Sequence, residues 1–356
     1  MNESSKLVVV IAAGGTAGHI RPALAVGEAL RARGASVTFA GSPDRVESRL
    51  VPEAGFEFDA FAISGFPRKP SVALLRALWR AGKAPFACRA ILRRRRPDVV
   101  LGGGGYVAGP MVLAARLCGI PAALTEADAH VGLANRLAAP FASMLFLAYE
   151  IPGRSGRKVA VVGRPVPAAH LGAGREGARE RLGLGQDVPV VAVFGALAGA
   201  TSLNEMAVGA WADAGPSVVH VSGERDFPAL QTRVHRPDYL LMPQTELFGD
   251  VLAAADVAVS RAGGTVWELA AAGTPSILVP YPHATADHQT LNARHFERGG
   301  GAVLVPEDAL DTVPALVVAL LADPERLAAM RAAMLSMARI DAADRIAEGL
   351  IALAAR

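Results

Sequence analysis

The sequence predicts an α/β protein made of two doubly wound, Rossmann-like domains in succession, and three observations carry that expectation. Short β-branched runs alternate with alanine- and leucine-rich stretches of helical periodicity from one end to the other. Glycine-rich loops stand where several of those runs end. A length of 356 residues also exceeds what one hydrophobic core usually fills, which favours two domains.

In the first half the expected strands are Leu7–Ala13, Ser36–Ala40, Asp98–Leu101, Ala122–Leu124, Met144–Leu147 and Val159–Val162. The amphipathic stretches between them are long enough for crossover helices, so these strands read as one parallel sheet covered on both faces. A second series follows at Val188–Phe194, Val218–Val221, Tyr239–Met242, Val257–Ser260, Ser276–Val279 and Ala302–Val305. The join falls near Gly163-Arg164-Pro165-Val166-Pro167, where glycine and proline interrupt both periodicities. Ligands of such sheets sit beyond the carboxyl ends of the strands, and two facing sheets place the expected site in the cleft between domains.

Composition narrows the class. Hydrophobic residues make up 52% of the chain, much of it alanine, and glycine, proline or arginine interrupts every apolar stretch before it reaches the roughly 20 residues of a spanning helix. Lys6 and the apolar run behind it resemble the start of a signal peptide, but the run leads straight into glycines and reads as the first strand. Cys88 and Cys118 are the only cysteines, which fits a reducing, cytoplasmic compartment without a disulfide framework or structural zinc. The net charge of +3 hides an asymmetry: residues 1–165 hold 22 Lys and Arg against 11 Asp and Glu, the remainder 14 against 22. A basic half suits nucleic acid, an anionic membrane or an anionic substrate, and charge alone does not choose among them.

The loop Gly14-Gly15-Thr16-Ala17-Gly18-His19 stands between the first strand and a helical pattern running from Pro22 to Ala32. Backbone N–H groups at such a strand-to-helix turn, with the positive end of the helix dipole, form a seat for a phosphate. An imidazole in that seat has the chemistry of a general base for a hydroxyl; a tight turn with a histidine cap is the other reading of His19. Gly102-Gly103-Gly104-Gly105-Tyr106 follows the strand ending at Leu101, and Gly195-Ala196-Leu197-Ala198-Gly199 follows the one ending at Phe194. Each admits either a ligand or a closely packed helix.

Ser260-Arg261-Ala262-Gly263-Gly264-Thr265-Val266-Trp267-Glu268 closes a strand and opens a helix. Arg261 is placed to read a diphosphate bidentately, supported by backbone donors at Gly264 and Thr265, while Glu268 one turn on suits the hydroxyls of a ribose. A capping box between Thr265 and Glu268 explains the same spacing. Downstream, His283, Asp287 and His288 invite a metal reading, but their spacing does not match a ligand set and the chain has no Asp-x-Asp pair. Asp287 and Gln289 suit sugar hydroxyls instead, and no metal is expected.

The basic surplus concentrates between Phe66 and Arg96, where Leu78 and Trp79 stand beside Arg76 and Arg80 and the stretch ends in the run Arg93–Arg96. Apolar anchors among cations suit a helix resting in the headgroups of an anionic bilayer; an ordinary crossover helix with a solvated basic face is the alternative. Nucleic acid is not expected, because aromatics are 5% of the chain and no stacking motif accompanies the arginines.

Taken together, Gly-Gly-Thr-Ala-Gly-His at 14–19, Gly-Gly-Tyr-Val-Ala-Gly-Pro at 104–110, Gly-Arg-Pro-Val at 163–166, Ser-Arg-Ala-Gly-Gly at 260–264 and Asp287-His288-Gln289 make the chain resemble the MurG family, the peptidoglycan N-acetylglucosaminyltransferases of glycosyltransferase family 28. The resemblance covers nearly the whole length. It implies a GT-B fold, with an acceptor- and membrane-binding domain at 1–163, a UDP-sugar-binding domain at 164–340, and a helix at about 341–356 packing back on the first. It implies inverting transfer from UDP-GlcNAc to lipid I, giving lipid II, without metal or other cofactor, by a peripheral protein on the cytoplasmic face of the cell membrane. His19 and Glu126 are the implied catalytic residues. Thr16, Ala17, Gly18, Asp128 and Arg164 would contact the donor from the first domain. Leu197, Thr245, Arg261, Gly263, Gly264, Thr265, Val266, Glu268, His288 and Gln289 would do so from the second. Gly14, Gly15, Gly103, Gly104, Tyr106 and Asn135 would meet the acceptor.

The chain departs from the family pattern at three places. Thr125-Glu126-Ala127-Asp128 stands where the family has His-Glu-Gln-Asn, and Gly195–Thr201 stands for Gly-Gly-Ser-x-Gly-Ala-Arg, without the serine and the arginine. The loop before Glu268 is also one residue short. These leave open a transferase for another lipid or secondary-metabolite acceptor, and a UDP-sugar-binding scaffold without turnover.

Overall fold

In a computed structural model the described residues are 6–65, 72–172, 174–195 and 199–356, with the side chains of residues 73–75 and 78 left aside. They form two parallel sheets. The first contains β1 (Val8–Ala12), β2 (Ser36–Gly41), β3 (Glu57–Ala60), β4 (Val99–Gly102), β5 (Ala122–Glu126), β6 (Met144–Leu147) and β7 (Val159–Val161) in the order β3-β2-β1-β4-β5-β6-β7. The second contains β8 (Val190–Phe194), β9 (Ser217–Val221), β10 (Tyr239–Met242), β11 (Val257–Ser260), β12 (Ser276–Leu278) and β13 (Ala302–Leu304) in the order β10-β9-β8-β11-β12-β13. Strand order reverses between β1 and β4 and again between β8 and β11, and loops diverge beyond the strand ends at such points, opening a crevice for a ligand.

The first sheet is crossed by α1 (Ala17–Ala32), α2 (Glu47–Glu53), α3 (Val72–Arg95), α4 (Ala108–Leu117) and α5 (Leu133–Ala138). The second carries α6 (Arg175–Arg181), α7 (Thr201–Trp211), α8 (Phe227–Leu230), α9 (Phe248–Ala254), α10 (Val266–Ala272), α11 (His288–Arg298), α12 (Val313–Leu321) and α13 (Pro324–Met337). Alternate residues of β1 face opposite cores, as the period of two requires. Val10 and Ala12 join Cys88, Leu92 and Met111, whereas Val9 and Ile11 join Ile20, Leu30 and Phe39. A strand buried on both sides must be apolar throughout, which is why Leu7–Ala13 was legible as a run. α14 (Ala342–Ala354) places Ile346 and Leu350 in the latter core.

The chain divides into Met1–Pro167 with Arg339–Arg356, and Ala168–Ala338. The division falls at the end of the expected join Gly163–Pro167, with Arg164 in the first unit, where it hydrogen-bonds the backbone of α1. Two corrections concern elements. Helix α1 begins at Ala17, with Pro22 inside it, and not at Pro22. β3 was not foreseen, because a four-residue edge strand alternating acidic and apolar residues makes a weak run. Its buried Asp59 accepts from Arg94 Nη2 at 2.7 Å and Arg95 Nε at 2.8 Å, and the Arg95 hydrogen bond, ahead of the charges, holds its carboxyl below the ordinary range. Two arginines of the Arg93–Arg96 run are thereby engaged within the fold.

In the second unit β9 buries His220 completely, between the Tyr239 hydroxyl at Nδ1 and Asn204 Oδ1 at Nε2, each 2.9 Å away. The Asn204 amide nitrogen already donates to Ser222 O and Asp226, so the imidazole carries its proton on Nε2 and accepts at Nδ1. Burial lowers the His220 pKa to about 4, so the unfolded chain, titrating near 6.5, takes up the proton first as pH falls. Stability from this residue is complete above pH 6.5 and is lost toward pH 4, by on the order of 3 kcal/mol. Thermal melting should show a fall in Tm from pH 7 to pH 4.5 that is flatter in His220→Gln; equal slopes would contradict the assignment.

Candidate active site

At the switch point of the first sheet, the loops after β1 and β4 meet. Gly14 N donates to Gly104 O at 3.3 Å, and a side chain on Gly105 would run into Gly14 O at 2.1 Å, so only glycine fits there. Gly104, with φ +104, brings backbone against the His19 ring: an added Cβ would lie 2.7 Å from its Cδ2. Beneath Gly14 sits the fully buried carboxylate of Glu47, accepting from Gly15 N at 3.0 Å and Ser42 N at 3.1 Å. Sequence reading missed Glu47; its only signal is a carboxylate shortly after a buried strand. Tyr106 packs on Gly15, its ring 3.0 Å from where a Cβ would be, and Gly103 faces Ala13 and Ala23. These acceptor candidates therefore form one packed floor around His19.

His19 occupies the first turn of α1, partly buried, with Nδ1 3.4 Å from Thr16 Oγ1. Desolvation, then the charge of Arg164, lowers its pKa to about 4, against a smaller upward push from Asp128. The imidazole is consequently neutral at pH 7, the form that accepts a proton. Ala17 is buried behind it, and Gly18 O receives Arg164 Nη2 at 2.5 Å. Arg164 follows Gly163, whose φ of +85 turns the chain off β7.

Glu126, expected as a catalytic residue, closes β5. Its carboxylate, 8% exposed, accepts from Ala127 N, Asp128 N, Gly132 N and Asn135 Nδ2, at 3.0, 3.3, 2.9 and 2.9 Å. Both oxygens are engaged in shaping the loop that presents Asp128. Asn135, expected at the acceptor, is buried on α5 and also donates to Thr125 O at 2.9 Å. Burial raises the Glu126 pKa, offset first by the Asn135 hydrogen bond.

In the second unit, Arg261 lies at the end of β11 and is 9% exposed at its side chain. Nη1 donates to Val279 O, Pro280 O and Glu307, and Nη2 to Ser202 Oγ at 2.8 Å and Glu307 Oε1 at 3.0 Å. The guanidinium expected to hold a diphosphate thus ties four segments together. Glu307, held below the ordinary carboxylate range chiefly by that arginine, was missed because it lies far along the chain.

Thr265 makes no side-chain cap on α10, so the capping-box alternative is not the arrangement found. Glu268 instead faces His170, Oε1 to Nδ1 3.2 Å, with His170 set edge-on to Phe248. Gly263 O accepts from Val266 N at 3.3 Å and Gly264 O from Trp267 N at 3.2 Å, closing the turn; Asn292 Nδ2 on α11 braces it through Ala262 O at 3.2 Å. Gln289 accepts from Tyr281 N at 2.9 Å and directs its Nε2 toward Gly263. His288 Nδ1 bonds Thr285 O at 2.8 Å, and Asp287 accepts from Thr290 at 2.6 Å, so both organise the start of α11. Thr245 accepts from Leu247 N at 3.0 Å ahead of α9. Leu197 lies outside the described residues. At position 201, where the family pattern has arginine, Thr201 Oγ1 accepts from Arg225 Nη2 at 2.5 Å at the start of α7, and Arg225 is paired with Asp226.

Among the described residues, no helix is long and apolar enough to cross a membrane, and no group of three or more His, Cys, Asp or Glu side chains is arranged to hold a metal ion.

Residues 9–147 match the glycosyltransferase family 28 N-terminal domain and residues 190–346 the glycosyltransferase family 28 C-terminal domain. A Rubrobacter xylanophilus protein named UDP-N-acetylglucosamine--N-acetylmuramyl-(pentapeptide) pyrophosphoryl-undecaprenol N-acetylglucosamine transferase is 42% identical over 332 residues, covering 91% of this chain and 97% of that protein. One of the same name from Acidithiobacillus ferrooxidans is 42% identical over 357 residues, covering 96% and 97%. The crystal structure of Acinetobacter baumannii MurG matches with a TM-score of 0.78 at 26% identity, over 98% of this chain and 99% of that one. With two Rossmann-like units of the GT-B kind and both domain signatures in sequence, the chain belongs to glycosyltransferase family 28.

Proposed function

We propose that the chain transfers N-acetylglucosamine from UDP-GlcNAc to the C4 hydroxyl of the MurNAc of lipid I, with inversion, forming lipid II. The observation that carries this reading is His19: a neutral imidazole at the switch point of the first sheet, beside a guanidinium, in a chain 42% identical to proteins named for that transfer. The acceptor oxygen forms a bond to the anomeric carbon as the bond from that carbon to the UDP oxygen breaks. Its proton passes to His19, whose Nδ1 faces Thr16 and leaves Nε2 for the hydroxyl. The negative charge developing on the diphosphate is offset by a fixed cation such as Arg164 and by backbone donors, and no metal is required in this scheme. Acceptor-dependent UDP release from UDP-GlcNAc and a soluble lipid I analogue, beside a control without acceptor, tests it. UDP binding without release would sink the transfer and favour a scaffold.

A lipid-borne acceptor also calls for a membrane face, placed here on the cytoplasmic side of the cell membrane with the protein held peripherally. α3 supplies Val72, Trp79 and Phe86, 65%, 63% and 74% exposed, beside exposed Arg76 and Arg80, with Lys83 Nζ 3.7 Å above the Trp79 ring. The Leu78 side chain, counted with these from sequence, is outside the described residues. Each cation near an anionic surface is worth about 1 kcal/mol, so Arg76→Ser with Arg80→Ser should weaken sedimentation with phosphatidylglycerol vesicles roughly 30-fold at low salt. Binding that ignores both the substitutions and added salt would remove this face from the proposal.

A further inference from the structure

Pro22 lies inside α1, where a proline has no N–H for the carbonyl four residues earlier and its ring pushes that carbonyl outward. In α1 that carbonyl is Gly18 O, and it accepts Arg164 Nη2 at 2.5 Å. Arg164 is only 9% exposed and arrives from the far end of the same unit, 146 residues along the chain. Pro22, Gly18, His19 and Arg164 line one small pocket together with Phe146 and Ile346. A helix with an ordinary residue at 22 spends one lone pair of the Gly18 carbonyl on the N–H of that residue and holds the carbonyl along the helix axis, so it meets the guanidinium as a poorer and differently aimed acceptor. We propose that Pro22 is the positioning residue for Arg164, because the carbonyl it leaves unpartnered is what fixes the guanidinium beside His19. This deepens the reading of His19 and Arg164 as parts of the transfer site and rests on it.

The charged groups facing His19 are Arg164, Asp128 on the loop after β5, and Glu126 across the pocket. Of these, Arg164 alone is held by Gly18. The test is Pro22→Ala, which restores an amide to α1 and should leave Tm unchanged or raised. Pro85→Ala, at a second helix-interior proline on α3, is the control. The His19 Cε1–H resonance, assigned by its loss in His19→Ala, is titrated by NMR in the free protein. In Pro22→Ala its midpoint should rise from about 4 by the smaller share that Arg164 contributes, the larger share from burial remaining, while Pro85→Ala titrates like the unaltered chain. The KM for UDP-GlcNAc should rise about tenfold in Pro22→Ala, with kcat changing less. An unmoved His19 midpoint in folded Pro22→Ala overturns the proposal, whatever KM does. Lack of turnover by the unaltered chain would count against the transfer reading alone, since the NMR arm needs no substrate.

Discussion

His19→Ala should lower acceptor-dependent UDP release by about 10²- to 10⁴-fold, the span that removal of a positioned general base produces. The expectation rests on three features of the residue. Its imidazole is neutral at pH 7 because desolvation and Arg164 lower its pKa to about 4. Its Nδ1 is turned to Thr16, which leaves Nε2 for a hydroxyl. Gly104 packs backbone against the ring and limits its orientations. A base with so low a pKa is a weak one in the free protein, and a diphosphate lying against Arg164 offsets the cation that contributes to the lowering, so basicity rises when substrate is present. The KM for UDP-GlcNAc should change little, since alanine removes no charge from the pocket at pH 7. Steady-state kinetics of the two proteins decide it: a loss smaller than about threefold would place the base elsewhere.

Arg261→Ala should cost about 3 kcal/mol of stability and, by loosening the loop between β11 and α10 that it braces, weaken UDP binding at least tenfold. Removing this guanidinium takes the cation from Glu307, which keeps only the Ser202 hydroxyl at 2.7 Å of the donors named here, and leaves Val279 O and Pro280 O without that donor; breaking a buried pair from one side is expensive because the remaining charge stays desolvated. Glu307 is 28% exposed at its side chain, which puts the cost at the lower end of the range for fully buried pairs. Arg261→Lys keeps the charge but not the fork, and should recover only part of either loss. Removing Glu307 as well, in Arg261→Ala with Glu307→Ala, should restore part of the stability without restoring UDP binding. Denaturant melts and titration calorimetry with UDP separate the two effects; a double variant no more stable than Arg261→Ala would contradict the pairing argument.

The sheets were readable because strands buried on both faces are nearly continuous apolar runs, interrupted only by small or hydrogen-bonded polar residues such as His220, and the six expected runs in the second half correspond to β8 through β13 within a residue or two. The edge strand β3 escaped notice for the converse reason: an edge tolerates charge, and Glu57 and Asp59 break the apolar run. The glycine loops were likewise visible, since turn chemistry is local, and Gly104 and Gly105 take the positive φ that such residues allow. The hydrogen bonds that hold Glu126 were not visible. Its four donors come from a loop and a helix that fold back over it, and no spacing distinguishes a loop-shaping carboxylate from a reacting one.

From its order of residues alone this chain had two doubly wound sheets, the loops at their switch points, His19 among glycines and a basic, partly apolar α3, all properties of periodicity and short-range backbone chemistry. Tertiary structure decided the fate of each ionisable group. Arg164 joins α1 across 146 residues, Arg261 meets Glu307 across 46, and Arg225 stands at Thr201 from 24 away. A guanidinium carries the same five donors wherever it stands, so only the topology that brings an acceptor within 3 Å determines whether it braces a fold or faces a substrate.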